Sequence, residues 1–319
     1  MDRLLKSKFK TGKKIGENFF SLTYDGTTLS GEHPVIIKIY KRGTLNSPLI
    51  KNMKQKVKVL QGEIHPRIVK LLDGDYGWQG FYYVRHFIKG RPLKDLIKAK
   101  SLSAEDAETF TLQICEALNA AHKRGIVHGA LSDNNILIDE KGAKVTDFVI
   151  EGEIKESPAQ KALAIVENEE TLSPEEISGQ HTSFSSDIFA VGMLLYKMLA
   201  FNPPFRSQLE KLQGKFTLPS NLPKYQKDII QKALDPDPLL RFKTISELSE
   251  SLKNKAIIDF SQNIEFPAIE LENTPNPEEK ETHIIKQERE KSFFIAKVIL
   301  LAAFAGVVYA IISSLFTGK

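Results

Sequence analysis

The sequence predicts an α+β chain of two lobes, a strand-rich one followed by a helical one, with a single transmembrane helix at the C-terminal end. Three observations carry this. From about Phe9 to Phe87 the pattern is mostly strand-like, with β-branched and aromatic runs bounded by turn residues. After Gly90 the apolar spacing becomes helical. Phe293 to Phe316, "FFIAKVILLAAFAGVVYAIISSLF", is almost wholly apolar and long enough to cross a bilayer as a helix. The expected divisions are 1–88 for the first lobe, 89–254 for the second, 255–291 for a flexible acidic linker and 292–316 for the spanning helix.

In the first lobe "HPVIIKIYK" and "GFYYVRHFI" read as strands, and "SPLIKNMKQKVKVLQG" between them has apolar residues at helical spacing. In the second lobe Ser103 and Asp106 have the spacing of a capping box. They open "AEDAETFTLQICEALNAAHKRG", an amphipathic helix ending at Gly125. "SSDIFAVGMLLYKMLAF" reads as a more buried helix, and Thr244 with Glu247 begins another capped one. From about Ile257 to Lys291 the chain turns acidic, with Pro and Asn and weak periodicity, as flexible linkers do. No internal repeat is present.

The 319 residues allow an ample core, and 41% hydrophobic with 26% charged residues is a globular composition. A formal net charge of +4 is too small to argue for nucleic acid, and no such partner is expected. The single cysteine, Cys115, excludes an intramolecular disulfide framework and falls in an apolar helical stripe, as a buried structural thiol does. The first twenty residues are polar and basic, without a signal-peptide core. The terminal apolar run lacks the polar face of a core helix. Lys297 can snorkel to the headgroups, and Lys286, Arg289 and Lys291 flank the run. By the positive-inside rule the N-terminal domain is cytoplasmic. The chain therefore reads as membrane-localised and single-pass, with a C-terminal anchor and the lipid bilayer as one partner.

The stretch "IVHGALSDNNILID", residues 126–139, has the layout of a phosphoryl-transfer loop without its catalyst. It stands in an ordered series. "KKIGENFFSLTYDG" looks like a glycine-rich loop, and "VIIK" resembles a strand motif that carries a phosphate-gripping lysine. "HPRIVKLLDG" and "FYYVRHFIKGRPLKDLI" follow, then "VHGALSDNNILI", "VTDFV", "LSPEEI", "SSDIFAVGMLLYKMLAFNPPF" and "LDPDPLLRF". Each segment alone is weak. Their joint order over residues 9 to 253 resembles a Ser/Thr protein kinase domain of the kind found in bacterial membrane kinases, and implies a two-lobed protein-kinase-like fold.

The resemblance implies a scaffold role for several polar residues. Glu175 would pair with Arg241, Asp187 would hold the backbone of the catalytic loop, and His128 would pack beneath that loop. The chemical positions depart from the family. Kinases work by positioning and electrostatics. H-R-D-L-x-x-x-N reads His128-Gly129-Ala130-Leu131-Ser132-Asp133-Asn134-Asn135, so Ala130 replaces the base and Ser132 a phosphate-facing lysine. Losing a positioned base costs about 10²–10⁴-fold. Asn135 and Asp147, magnesium ligands in the family, remain, while Val149 replaces the glycine of D-F-G. The phosphate-loop glycines read Gly16, Asn18 and Ser21.

Lys38 keeps the place of the lysine that grips the α- and β-phosphates. Counting back from His65-Pro66 puts Lys56 where its orienting glutamate belongs, and no Asp or Glu occurs between Lys38 and Glu63. The lysines of that helix read as a solvated face. Ile36 replaces the small alanine above the adenine slot, and Arg85 falls at the gatekeeper position, where a buried guanidinium needs a partner. Asp147 turned inward toward Lys38 or Arg85 would supply one. The expectation is a catalytically impaired pseudokinase acting as a membrane-tethered interaction or regulatory scaffold for an unidentified protein. No cofactor is expected, and any Mg·ATP binding, through Lys38, Asn135 and Asp147, is expected to be weak. Two alternatives are an atypical active kinase using Asp133, expected on the loop surface, as a relocated base, and a nucleotide-sensing switch. The acidic stretch of the segment from Asp147 to Glu175 reads as solvated loop.

Overall fold

The computed structural model describes residues 4–5, 8–18, 20–62, 64–148 and 172–258. The expected spanning helix, most of the linker, Val149 and most of the segment between Asp147 and Glu175 lie outside these residues. Among the described residues no helix is long and apolar enough to cross a membrane.

The first lobe is built on strands β1 (Leu4–Leu5), β2 (Phe9–Glu17), β3 (Ser21–Thr28), β4 (Pro34–Tyr40), β5 (Leu71–Gly77) and β6 (Gly80–His86). They form one antiparallel sheet in the order β1-β2-β3-β4-β6-β5. Helix α1 (Ser47–Leu60) joins β4 to β5. Asn46 caps it by accepting from the Leu49 amide at 2.9 Å, and Pro48 follows in its first turn. Its buried stripe is Leu49, Met53, Val57 and Leu60, the spacing that one helix face presents to a core. Alternation along β4 and β6 divides the sheet. Val35, Ile37, Ile39, Tyr82 and Val84 join Phe9 in a small outer cluster. The opposite parity sends Ile36, Lys38, Tyr83 and Arg85 to the other face, toward the second lobe. Register aligns Ile36 with Arg85 and Lys38 with Tyr83.

The second lobe contains a small sheet of β7 (Arg91–Pro92), β8 (Ile136–Asp139) and β9 (Gly142–Val145). Its helices are α2 (Leu93–Lys98), α3 (Ala104–His122), α4 (Pro174–Ile177), α5 (Phe184–Ala200), α6 (Gln208–Leu212), α7 (Lys224–Ala233) and α8 (Ile245–Lys253). The capping box of Ser103 and Asp106 is present at α3, and Thr244 caps α8 by accepting from the Glu247 amide. Helix α5 is buried on nearly every side, as its apolar composition requires. One large cluster runs through both lobes, from Phe20, Met53 and Tyr83 to Leu118, Phe189 and Leu248. Cys115 lies within it, and burial pushes its thiol up to about 12.

Among the described residues, two backbone hydrogen bonds join the lobes. The Val145 amide donates to the Arg67 carbonyl at 2.7 Å, and the Val69 amide to the Val145 carbonyl at 2.9 Å. At the other end, residues 255–258, expected to begin the linker, stay on the second lobe. The Ile258 amide donates to Asp228 Oδ2 at 3.2 Å, and Ile258 packs against the core. A carboxylate on the neighbouring helix recruits this backbone, a contact that composition does not reveal.

Candidate functional site

The scaffold beneath the loop of residues 126–139 is complete. Asp187, buried near the start of α5, accepts from the His128 amide and the Gly129 amide, both at 2.9 Å. His122 Nε2 adds a third contact to Asp187 at 2.7 Å. The buried His128 ring contacts the Thr146 carbonyl through Nε2 at 3.0 Å and packs against Phe148 at 4.6 Å between centroids. The guanidinium of Arg241 grips Glu175 with two bonds, of 2.9 and 2.7 Å. Burial raises the Glu175 pKa, but hydrogen bonding and the charge of Arg241 outweigh it and leave the carboxyl below its ordinary range.

The chemical positions are occupied otherwise. Ala130 is buried and offers no functional group. Asp133 is not on the surface, as expected from sequence, but buried, with its carboxylate 2.6 Å from Lys197 Nζ of α5. Its carboxylate is thus engaged inside the second lobe rather than presented at the loop surface. Asn135 donates from Nδ2 to the Ala130 carbonyl at 2.7 Å, which leaves its Oδ1 as the atom for a cation.

Asp147 has a left-handed backbone (φ 66°), a conformation that Asp tolerates better than most residues. Its Oδ1 accepts from the Tyr83 hydroxyl at 2.6 Å and from the Thr146 hydroxyl at 3.1 Å. Arg85 Nε lies 3.5 Å from the same oxygen, an ion pair too long for a good hydrogen bond. Burial pushes the Asp147 carboxyl upward, but the charges of Lys38 and Arg85 and the two hydroxyls prevail and hold it at about 2. Burial, and then the neighbouring Asp147 charge, raise the Tyr83 phenol well above its usual value. Lys38 is buried, faces Asp147, and lies 5.8 Å from the Tyr40 ring centroid. Lys56 is half-buried on α1, which contains no acidic residue.

Ile36 and Arg85 stand side by side on adjacent strands above this cluster. Ile36 is buried opposite Arg85. An Arg85 terminal nitrogen donates to the His86 carbonyl at 3.3 Å, taking a backbone acceptor at the hinge edge. At the tip between β2 and β3, Asn18 Oδ1 accepts from the Phe20 amide (3.1 Å), the Ser21 amide (2.6 Å) and the Ser21 hydroxyl (2.9 Å). The carboxamide thus takes up two amides that a phosphate would need. Phe20 is buried in the same cluster as Tyr40, Met53 and Tyr83.

Sequence reasoning placed Lys38, Arg85 and Asp147 together but missed Tyr83. The alternation that puts Lys38 and Arg85 on one face also puts Tyr83 there, and was the available signal. The inward Phe20 and the Lys197 partner of Asp133 had no comparable local signature.

A strand-borne lysine under a small sheet, an aspartate facing it from a helical lobe, and a loop suspended from a buried helix define the class of two-lobed phosphotransferase scaffolds. Residues 9–252 match the protein kinase domain family, and the chain belongs to it. Over 264 residues it is 28% identical to a Clostridium perfringens protein named as a probable serine/threonine-protein kinase, covering 79% of this chain and 38% of that one. Over 272 residues it is 26% identical to the Lactococcus lactis protein named as a probable serine/threonine-protein kinase PknB, covering 81% of this chain and 43% of that one. The chain therefore spans less than half the length of these bacterial relatives. In structure it is similar to the kinase domain of Mycobacterium tuberculosis PknI, with a TM-score of 0.60, 14% identity, and coverage of 78% of this chain and 95% of that one. That likeness shows the fold.

Proposed function

We propose that this kinase-family chain is a pseudokinase, held at a membrane by the apolar run within 292–316, and that it acts as a protein-interaction or regulatory scaffold. The supporting observation is the engagement of Asp147 Oδ1 by Tyr83, Thr146 and Arg85 while the position of the base is Ala130. A cation taken at this oxygen would compete with two hydrogen bonds and an ion pair. Mg·ATP would be held, if at all, by Lys38, Asn135 Oδ1 and Asp147, and would bring the phosphoryl group and the charge neutralisation that transfer needs. Ala130 offers no group to accept the proton of an attacking hydroxyl, and Asp133 of the same loop is paired with Lys197.

The retained Oδ1 of Asn135 favours a second reading, a nucleotide-sensing switch that binds without transfer. Melting temperatures with ATP, with and without Mg²⁺, separate the two. The pseudokinase reading expects no shift at millimolar Mg·ATP. A Mg²⁺-dependent rise abolished by Lys38→Met would replace it with the switch.

A further inference from the structure

Residues 1–88 hold 16 Lys and Arg against 7 Asp and Glu, a formal charge of +9, while the whole chain carries +4. Helix α1 contributes Lys51, Lys54, Lys56 and Lys58 and no carboxylate. With Leu49, Met53, Val57 and Leu60 turned to the core, helical geometry places Lys51, Lys54 and Lys58 on the opposite side as one stripe. The helix and β5 run antiparallel. Gln61 donates to the Leu72 carbonyl at 3.0 Å, Val57 packs on Gly74, and Lys54 pairs with Asp75. One turn beyond Lys54, Lys51 lies toward the hairpin that joins β5 to β6. On that hairpin Tyr76 and Trp78 are exposed, Trp78 at 63%.

A lysine stripe ending beside an exposed tyrosine and tryptophan combines the two features that settle proteins at headgroup depth. The rings span the apolar–polar boundary, and the ammonium groups meet anionic headgroups. We infer that the outer side of α1 and the β5–β6 hairpin form a docking surface for an anionic lipid bilayer. The outer side of α1 carries only positive charge, with Asp75 offsetting Lys54 at its edge, and Lys51 and Lys58 complement such a surface. On the tail-anchor reading, proximity comes from the apolar run within 292–316, which would tether the lobe to the bilayer. It would hold the lobe beside the bilayer at an effective concentration that makes a weak surface sufficient. Only this proximity rests on the tail-anchor reading.

Trp78 is the single tryptophan of the chain and so reports on the surface directly. The full-length chain is placed on vesicles of phosphatidylcholine, alone or with one third phosphatidylserine, each prepared with and without brominated acyl chains. On the anionic vesicles the emission should shift to the blue and be quenched by the brominated lipid, and high salt should reverse both. On neutral vesicles neither change should occur. In Lys51→Gln/Lys58→Gln, which touches no core or cleft residue, the ratio of docked to undocked lobe, read from the quenching, should fall roughly fivefold per lysine removed. Unchanged emission on both vesicles overturns the proposal. So does equal quenching on both, which charge does not explain, and so does a blue shift without quenching, which means that protein covers Trp78. A chain not retained on neutral vesicles defeats the anchor reading; quenching on anionic vesicles then still supports the docking surface, and its absence overturns it.

Discussion

The Nε atom of Arg85 on β6 lies 3.5 Å from Asp147 Oδ1 at the mouth of the second lobe. This pairing joins a residue that the family position reserves for the back of the nucleotide slot to one that it reserves for metal. Each neutralises the other, with the Tyr83 hydroxyl completing the set at 2.6 Å. Lys38 faces the same carboxylate, so two cations share one anion, and the expectations below turn on that sharing.

Releasing the cleft should restore nucleotide binding in part. In Arg85→Met/Tyr83→Phe/Asn18→Gly, Asp147 loses two partners and the loop tip regains its amides. The variant is expected to show a Mg²⁺-dependent rise in melting temperature with ATP that the parent chain lacks. Ligand at ~100 Kd would add about 2.7 kcal/mol. Identical flat responses from both would show that something other than these contacts closes the slot.

Transfer should not return with the base alone. Ala130→Asp is predicted to incorporate no phosphate above background, since Ser132 and the carboxylate-free α1 leave the transferring group unsupported. The readout is radiolabelled ATP with a general protein acceptor. Incorporation that disappears on adding Asp147→Ala would contradict this prediction.

The Asp147 carboxyl should leave a mark on acid stability. It sits at about 2 in the fold against an ordinary ~3.9 in the unfolded chain. Its contribution is therefore complete above pH ~4 and is lost as pH falls toward 2. Urea unfolding of the parent and of Asp147→Asn should give a stability difference that narrows by about 2 kcal/mol between pH 5 and pH 2. A difference independent of pH would mean that the carboxylate is not held by these charges.

The Glu175–Arg241 pair should be costly to break. Arg241→Met leaves a buried carboxylate without its guanidinium and should cost ~3–5 kcal/mol in denaturant unfolding at neutral pH. A loss under about 1 kcal/mol, the range of exposed pairs, would argue that water replaces the arginine.

Membrane attachment is tested on the chain in cells. Full-length protein should resist carbonate extraction, while a chain ending at Lys291 should be released. Release of both would remove the anchor from the account and leave the cleft chemistry unaffected.

Much of the fold was legible because its signals are local. The caps at Ser103 and Thr244, the apolar stripe of α1 and the strand runs of β4 and β6 each depend on neighbours a few residues away, and each forms where its pattern stands. The alanine at position 130 and the absence of carboxylates from α1 are matters of residue identity, and the chain states them outright. Whether Asp133 was free, what Asp147 faced and where Phe20 went are different questions. Asp133 meets Lys197 across 64 positions, Tyr83 reaches Asp147 across the same separation, and Phe20 enters a cluster assembled from both lobes. Sequence by itself determined which groups are available and which face of each element they occupy, because periodicity is set by backbone geometry. Only the tertiary structure decided which charges meet, because burial makes an unpaired ion costly and the fold chooses its partner from whatever packing brings within reach.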